Sequence, residues 1–408
     1  MAYQKVTTTS YGGRLKNALS GVAAGFIMII AAVVLLFWNE GRTVKTTRML
    51  KEAAGQCVEL GDPAEINASA DGKMVHATGF AGTDEILTDA QFGISLNAVK
   101  LIRSSEYYQW VEHQSSQTKD KVGGGQETVT TYSYSKEWVS SPVNSADFED
   151  PQYKGINNEV LLNVENQTLQ ARNVSFGAYK LPDGLVSQMN NREDLAVELA
   201  PEVVNQYEAD FHREFDVPET ESFVHADGNV LYLGLNPNKP TVGDVRVTYS
   251  KVLPGDVSIL AVARGNSFEK FTAKNGYSFW TLEDGTVSQE SMFESEHSGN
   301  KAIAWILRIV GILLMVFGFK NIFNIITALL KVLPFLGSIA NLGVGLVSGI
   351  LGFALSLVVI AVAWIVYRPV VGIILLAVAV ALIFFLGKKG KEKAAAAPAE
   401  PAPAVEKP

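Results

Sequence analysis

The side chains that most often carry out chemistry are sparse in this sequence and do not fall into catalytic patterns. There is no HExxH, GxSxG, P-loop or GxGxxG pattern. No histidine stands at metal-ligand spacing from a cysteine; the five are His76, His113, His212, His225 and His297. The densest acidic group (Asp147, Glu149, Asp150) lacks EF-hand spacing and would hold a cation only loosely. The sequence therefore predicts no catalytic residue, no cofactor site and no metal site, although acid–base pairs can also meet from distant positions.

Cys57 is the single cysteine of the chain. One cysteine cannot close a disulfide within the chain or supply a cysteine-based zinc site. Free cysteines are commonly buried as small apolar residues, and we expect that environment for Cys57. A single cysteine does not indicate whether the protein resides in an oxidising or a reducing compartment.

The charge of the chain is distributed unevenly. Residues 39–300 contain 39 acidic and 21 basic side chains, a net −18; the remainder contains 3 acidic and 13 basic side chains, a net +10, and the two sum to −8. This division indicates an acidic domain in water and apolar segments with basic flanks in a bilayer. It excludes a purely soluble protein and argues against nucleic-acid binding, because a phosphate backbone attracts positive charge.

Four apolar runs predict transmembrane helices, at 18–38, 302–319, 342–366 and 370–387. The first is an uncleaved signal anchor, because it is longer than a signal-peptide core and lacks a cleavage site. Only 367–369 separates the last two runs, which requires an antiparallel helical hairpin. Lys331 and Pro334 interrupt the stretch 320–341, so it is expected to lie at the interface or to re-enter the membrane, with a fifth crossing as the alternative.

Basic residues near the ends of the spans predict the orientation. The lysine-rich tail and the loop containing Lys320 should face the cytoplasm. Residues 1–17 then form a cytoplasmic N-terminus, 39–300 a translocated periplasmic or lumenal domain, and 388–408 a disordered cytoplasmic tail rich in alanine and proline.

Two features of the spans concern helix contacts. Small residues recur four apart at Gly21 and Gly25, and again at Gly345 and Gly349, overlapped by Ser348 and Gly352. This spacing predicts close helix packing within the chain, with oligomer contacts as the alternative. Arg308 lies inside the second span. It is expected to snorkel to the interface, unless it pairs within the bundle or with a lipid phosphate.

Alternating apolar residues predict strands in 39–300, for example at Val245–Tyr249 and Val257–Ala263. A long hairpin is expected around Gly123–Gly125, with Tyr132, Tyr134 and Trp138 on one face packed as core. Residues 184–215 read as two short helices interrupted at Pro201. The predicted fold class is a multi-pass α-helical membrane protein with four transmembrane helices and a large β-rich α+β domain inserted between helices 1 and 2.

Several short segments together resemble the LUMA family, also called the transmembrane protein 43 family. They run in the family's order over nearly the whole chain and include Trp38-Asn39-Glu40-Gly41-Arg42, Tyr108-Gln109-Trp110-Val111-Glu112, Gly243-Asp244-Val245-Arg246-Val247 and Tyr367-Arg368-Pro369. The resemblance implies one translocated domain between the first two of four spans. In animals it implies organisers of the endoplasmic reticulum and inner nuclear membrane that self-associate and bind membrane proteins, and it implies no reaction.

These observations favour a non-enzymatic membrane scaffold that tethers protein partners or lipid. The alternative is a membrane-bound enzyme that acts on envelope lipid or glycan. The expected partners are membrane lipids and other membrane proteins, with self-association as a further option. The alanine/proline tail and the acidic exported domain favour location in a bacterial inner membrane. If the chain is eukaryotic, the expected location is the endoplasmic reticulum or the inner nuclear membrane.

Overall fold

The computed structural model describes residues 3–215, 217–332, 334–370 and 372–374. The chain divides into two compact units. The β-rich unit lies within Met1–Arg14, Thr47–Gly299 and Val332–Pro334, and the helical unit within Leu15–Thr46, Asn300–Lys331 and from Phe335 onward. The helices are Tyr11–Gln56 (α1), Asp183–Val186 (α2), Pro201–Glu214 (α3), Gln289–Leu330 (α4) and Pro334–Tyr367 (α5).

The strands of the described residues are short except for one hairpin. In chain order they are Tyr3–Thr9 (β1), Val58–Glu59 (β2), Met74–Gly82 (β3), Ile86–Asp89 (β4), Ile94–Asn97 (β5), Lys100–Asp120 (β6), Gln126–Val139 (β7), Gln167–Gln170 (β8), Val174–Phe176 (β9), Tyr179–Leu181 (β10), Arg192–Asp194 (β11), Val224–Asp227 (β12), Val230–Leu233 (β13), Val245–Val252 (β14), Gly255–Arg264 (β15), Ser267–Glu269 (β16), Phe271–Thr272 (β17), Ser278–Phe279 (β18) and Thr281–Asp284 (β19).

Two sheets enclose the main core of the β-rich unit. The eight-stranded sheet runs β1-β7-β6-β14-β13-β12, with β11 on β14 and β8 on β6. The seven-stranded sheet runs β10-β9-β3-β15-β16, with β19 on β15 and β2 on β3. The predicted β-rich α+β character of this region is confirmed.

Strand β15 is buried on both faces and links two apolar clusters. Ile259 and Ala261 face the main core, whereas Leu260 packs in a second cluster that includes Leu50 of α1 and Met292 of α4. Burial of both β15 faces is a tertiary effect that alternation alone does not predict.

Strand β14 follows the alternation that the sequence predicts. Val245, Val247 and Tyr249 are all fully buried, while the residues between them are partly exposed. One face of this strand therefore lies on the main core.

The predicted hairpin is present, with its turn at Lys121–Gly125 between β6 and β7. Glycines stand at the two turn positions with positive φ, Gly123 (+88°) and Gly124 (+82°). The aromatic face of the hairpin is core only in part. Tyr132 is buried against Tyr3, whereas Trp138 is half-buried with the Arg246 guanidinium 4.5 Å from its ring centre.

The N-terminal strand β1 was not expected. It pairs antiparallel with β7, with Val6 opposite Val129, and Arg14 forms an ion pair of 2.8 Å with Asp120 near the hairpin turn. Backbone hydrogen bonds require both strands in one compartment. The pairing is therefore at odds with placing all of 1–17 and all of 39–300 on opposite faces of a membrane, and the sidedness of these segments stays a prediction.

The region 184–215 contains two short helices, as expected, since it includes most of α2 and all of α3. The first is shorter than expected, because β11 lies between them. Pro201 is the first residue of α3 rather than a break within a helix. Proline suits that position because the N–H it lacks would have no partner in the first turn.

The helical unit contains the three candidate membrane spans of the described residues, in α1, α4 and α5. The predicted fourth span, 370–387, lies almost entirely outside the described residues, so a total of four stays a prediction. Residues 320–341 form no helix of their own: 320–330 complete α4, and 334–341 begin α5. Whether this stretch lies at the interface, re-enters the membrane or makes a fifth crossing stays a prediction.

Glycines bring the three helices together, but not all at the predicted positions. A Cβ on Gly25 would lie 2.6 Å from the Gly318 carbonyl oxygen, and one on Gly352 would lie 2.7 Å from the Val316 Cα. The prediction is confirmed for Gly25 and for Gly352, which belongs to the overlapping Ser348/Gly352 pair. It is wrong for Gly345 and Gly349 as contacts within the described chain, because no atom of another segment lies within 4 Å of a Cβ built there.

Candidate functional site

A buried ion pair joins the three long helices of the helical unit. Glu40 follows the apolar run of α1 and is fully buried. Arg308 of α4 donates from Nε to Glu40 Oε1 at 2.6 Å and from Nη2 to Oε2 at 2.9 Å. Trp364 of α5 donates from Nε1 to Oε2 at 2.8 Å. One carboxylate thus accepts hydrogen bonds from the two other helices.

Neighbouring polar side chains connect α1 and α4 further. Asn39 donates from Nδ2 to the Ala304 carbonyl at 3.0 Å, and Asn300 donates from Nδ2 to the Thr43 carbonyl at 3.1 Å. The Thr43 hydroxyl donates to the Asn39 carbonyl within α1 at 2.8 Å. Together with Glu40, Arg308 and Trp364, these residues form the polar layer of the unit. The layer includes residues just after the apolar run of α1, residues before and inside that of α4, and one residue near the end of that of α5.

Aromatic rings enclose the cation of this layer. The Arg308 guanidinium carbon lies 4.9 Å from the Trp305 ring centre and 5.9 Å from that of Trp364. Its side chain is 14% exposed, so it is neither free in water nor buried alone. Of the alternatives for Arg308, pairing within the bundle is the one that the structure supports.

The Glu40–Arg308 pair was not predicted, although the sequence contains a signal for it. Glu40 is the single acidic residue in 15–46, 300–331 and 335–391, and Arg308 is the single charge inside its predicted span. An ionisable residue in an apolar segment needs a partner, and these segments offer only one carboxylate. The sequence does not indicate which helices contact each other or at which positions along them the contact forms; the tertiary structure shows both.

The Glu40 carboxylate is occupied by its three donors, and this determines what it can do. A carboxylate that must act as a general base needs a position within reach of a substrate proton. Here both oxygens accept from side chains that are themselves packed, so the arrangement fixes helix positions through charge-assisted hydrogen bonds. Removing one partner would leave the other charge buried without compensation.

The β-rich unit contains a second buried charged cluster. Arg103 Nη1 donates to both Asp89 oxygens at 2.8 and 2.7 Å, and the Tyr249 hydroxyl donates to Asp89 Oδ2 at 2.7 Å. Burial, followed by the hydrogen bond to Asp89, raises the pKa of Tyr249. The cluster ties β4, β6 and β14 together. Its polar groups satisfy one another, as in a structural network.

An acid beside a histidine in an open cavity would favour the enzyme alternative, and one such place exists. A cavity of about 670 Å³ is lined in part by Glu208 and His212, with 3.6 Å between His212 Nε2 and Glu208 Oε2. The Glu208 carboxylate, however, accepts the backbone N–H groups of Phe223 and Val224 at 2.9–3.0 Å. These bonds anchor the segment that follows α3. Because both carboxylate oxygens already accept hydrogen bonds, Glu208 is poorly placed to act as a general acid or base.

The remaining candidate residues also make structural contacts. Burial raises the pKa of the Cys57 thiol to about 12, with the nearby Glu59 charge adding to the effect, so this thiol is a poor nucleophile. Glu149 of the acidic group forms an ion pair with Lys5. Within the described residues, no group of three or more metal-ligating side chains is arranged to hold an ion.

Comparison with known proteins identifies the family. Residues 107–369 match the sequence profile described as Transmembrane protein 43. The chain is 30% identical over 380 residues to Transmembrane protein 43 of Homo sapiens, with 90% of each chain covered, and 29% identical over 358 residues to the Drosophila melanogaster homolog, with 86% of this chain and 90% of that protein covered. No solved structure matches. The profile covers more than half of the chain and the human relative aligns over nearly all of it, so the chain belongs to the transmembrane protein 43 family.

Proposed function

We propose that this protein is a non-catalytic membrane organiser, in which a rigid helical bundle anchors a β-rich domain that binds membrane-protein partners. The observation that carries the proposal is the Glu40–Arg308–Trp364 contact. It uses the single acid of 15–46, 300–331 and 335–391 to fix the three helices rather than to face a cavity. A scaffold needs such rigidity, because binding partners in a fixed arrangement requires a frame that does not rearrange.

The β-rich unit supports the same proposal through how its charged groups are used. Asp89 and Arg103 neutralise each other, and the Glu208 carboxylate holds backbone N–H groups. Many carboxylates remain on the surface, since residues 39–300 carry a net charge of −18. Such a surface favours partners with basic extramembrane segments through charge complementarity.

Proximity labelling in native membranes tests the proposal. The labelling enzyme is inserted in the exposed turn at 236–239, and the control carries the same enzyme on a single unrelated span. We expect a reproducible set of membrane proteins above this control. We also expect the set to shrink when Glu40→Gln loosens the bundle, while Glu269→Gln, on an exposed ion pair, leaves it unchanged.

A second measurement separates the scaffold from the enzyme alternative. Purified protein in vesicles is incubated with envelope lipids, and product is followed over many turnovers. Turnover that is abolished by His212→Gln with Glu208→Gln would establish the enzyme and overturn the scaffold proposal. A label set identical to that of the single-span control would overturn it as well.

A further inference from the structure

Arg368 lies at the end of α5 and has a different charge environment from Arg308. Its guanidinium carbon is 5.9 Å from the Trp364 ring centre, the same distance as that of Arg308. The two arginines therefore share one indole ring. Because that indole donates its N–H to Glu40, the three charges belong to the polar layer described above.

One carboxylate cannot neutralise both guanidinium groups of this layer. Glu40 accepts two hydrogen bonds from Arg308 and one from Trp364. Among the described residues, no carboxylate comes within 4.0 Å of Arg368 to form an ion pair. The apolar segment that follows cannot supply a carboxylate either, because residues 369–391 contain no Asp or Glu.

The position of Arg368 indicates what supplies the missing negative charge. It comes two residues after Val366, the last residue of the apolar run 342–366, and a span of that length is expected to pass there from hydrocarbon to headgroups. Trp305, which is 62% exposed, and Trp364 stand in the same layer, as aromatic residues do at membrane interfaces. The anions present at this depth are lipid phosphates.

We propose that Arg368, backed by Trp364, binds the phosphodiester of an anionic phospholipid headgroup, whose negative charge, unlike that of phosphatidylcholine, is not offset by a choline cation. A guanidinium offers two parallel N–H groups that match two phosphate oxygens. The cation–π contact with the indole, at 5.9 Å, holds the guanidinium beside Trp364. The site holds whether or not the protein is a scaffold, since it follows from the charges and depth of the layer alone.

The test uses the full-length protein in neutral phosphatidylcholine nanodiscs, with melting temperature as the readout. Phosphatidylglycerol is added in increasing fraction, and inorganic phosphate at the same total phosphate concentration serves as the soluble arm. We expect phosphatidylglycerol to raise the melting temperature of the unchanged protein and phosphate to leave it unaltered. An equal rise with inorganic phosphate would overturn the assignment to a lipid.

Two variants and one matched control locate the effect. Arg368→Gln should weaken the apparent affinity for phosphatidylglycerol, read from the midpoint of the melting-temperature rise, roughly fivefold. This is the factor expected for one basic residue at an anionic membrane surface. Arg368→Lys keeps the charge but loses the paired N–H groups, and should show an intermediate response. Lys320→Gln removes one positive charge toward the other end of α4 and should respond as the unchanged protein does.

The responses of the variants decide whether Arg368 binds the lipid phosphodiester. A response of Arg368→Gln equal to that of the unchanged protein would overturn the site. An equal loss in Lys320→Gln would show general attraction to an anionic surface and would also overturn it. If Arg368→Gln does not fold in phosphatidylcholine, Arg368→Lys carries the test, and an undiminished response in that variant would refute paired recognition of the phosphodiester.

Discussion

Replacing Glu40 with glutamine tests the ion pair that joins the three membrane helices. Glutamine has nearly the same shape, but only one of its two terminal atoms accepts hydrogen bonds. Its amide nitrogen would then face the N–H donors of Arg308 or Trp364, and the Arg308 charge would remain in a site where the side chain is 14% exposed. Breaking a buried pair by removing one partner costs about 3–5 kcal/mol, and we expect a loss of this size in the free energy of unfolding.

A double-mutant cycle separates the pair from the effect of each residue alone. Arg308→Gln should also destabilise the protein, because it leaves the Glu40 carboxylate buried without a cation. The combined variant places two amides together, and we expect it to be more stable than the sum of the single losses by about 0.5–3 kcal/mol. The measurement is equilibrium unfolding in mixed detergent micelles, followed by tryptophan fluorescence.

An exposed pair provides the control for this cycle. Glu269, which is 57% exposed and lies 3.3 Å from Arg264, undergoes the same chemical change in Glu269→Gln. Surface pairs of this kind contribute about 0–1 kcal/mol. If Glu40→Gln is no more destabilising than Glu269→Gln, or if the losses at Glu40 and Arg308 simply add, then the pair does not hold the helices together.

Three further predictions concern other parts of the chain. Gly352→Leu should strongly lower the stability in detergent, because its side chain would clash with the Val316 backbone, whereas Gly345→Leu should be tolerated. Equal melting temperatures of the two variants would contradict the helix contact. Burial alone would raise the pKa of Glu208, but hydrogen bonds from Ser222 and two backbone N–H groups lower it overall. Its contribution to stability is therefore complete above the ordinary pKa of about 4.5 and is lost as pH falls below it, so Glu208→Gln should flatten the acid side of the stability curve. Cysteines at Val6 and Val129, in a chain without its native cysteine, should form a disulfide on mild oxidation, whereas moving the second cysteine to β6, one strand farther away, should abolish it; equal cross-linking would argue against the β1–β7 pairing.

Composition and local pattern were enough to predict how the chain is divided and what kind of structure each part forms. The backbone of a long apolar run can be satisfied in hydrocarbon only as a helix, so three of the predicted spans appear as candidate spans within α1, α4 and α5. Alternation at Val245–Tyr249 and the glycines at 123–125 predicted a strand and a hairpin turn, because side-chain direction and positive φ are local properties. The family resemblance, carried by several short segments, is also confirmed.

The tertiary structure alone decided which of these elements meet. Two overlapping small-residue pairs occur in α5, Gly345/Gly349 and Ser348/Gly352. The contact forms at Gly352 of the second pair, because the spacing specifies a small face but not the helix that covers it. Strand β1 carries no local signal that it will pair with β7, more than a hundred residues away. Glu40 and Arg308 are 268 positions apart in sequence, and only the packing of α1 against α4 brings them within hydrogen-bonding distance. Long-range pairing depends on the sum of many contacts, so a single chain position cannot reveal its partner.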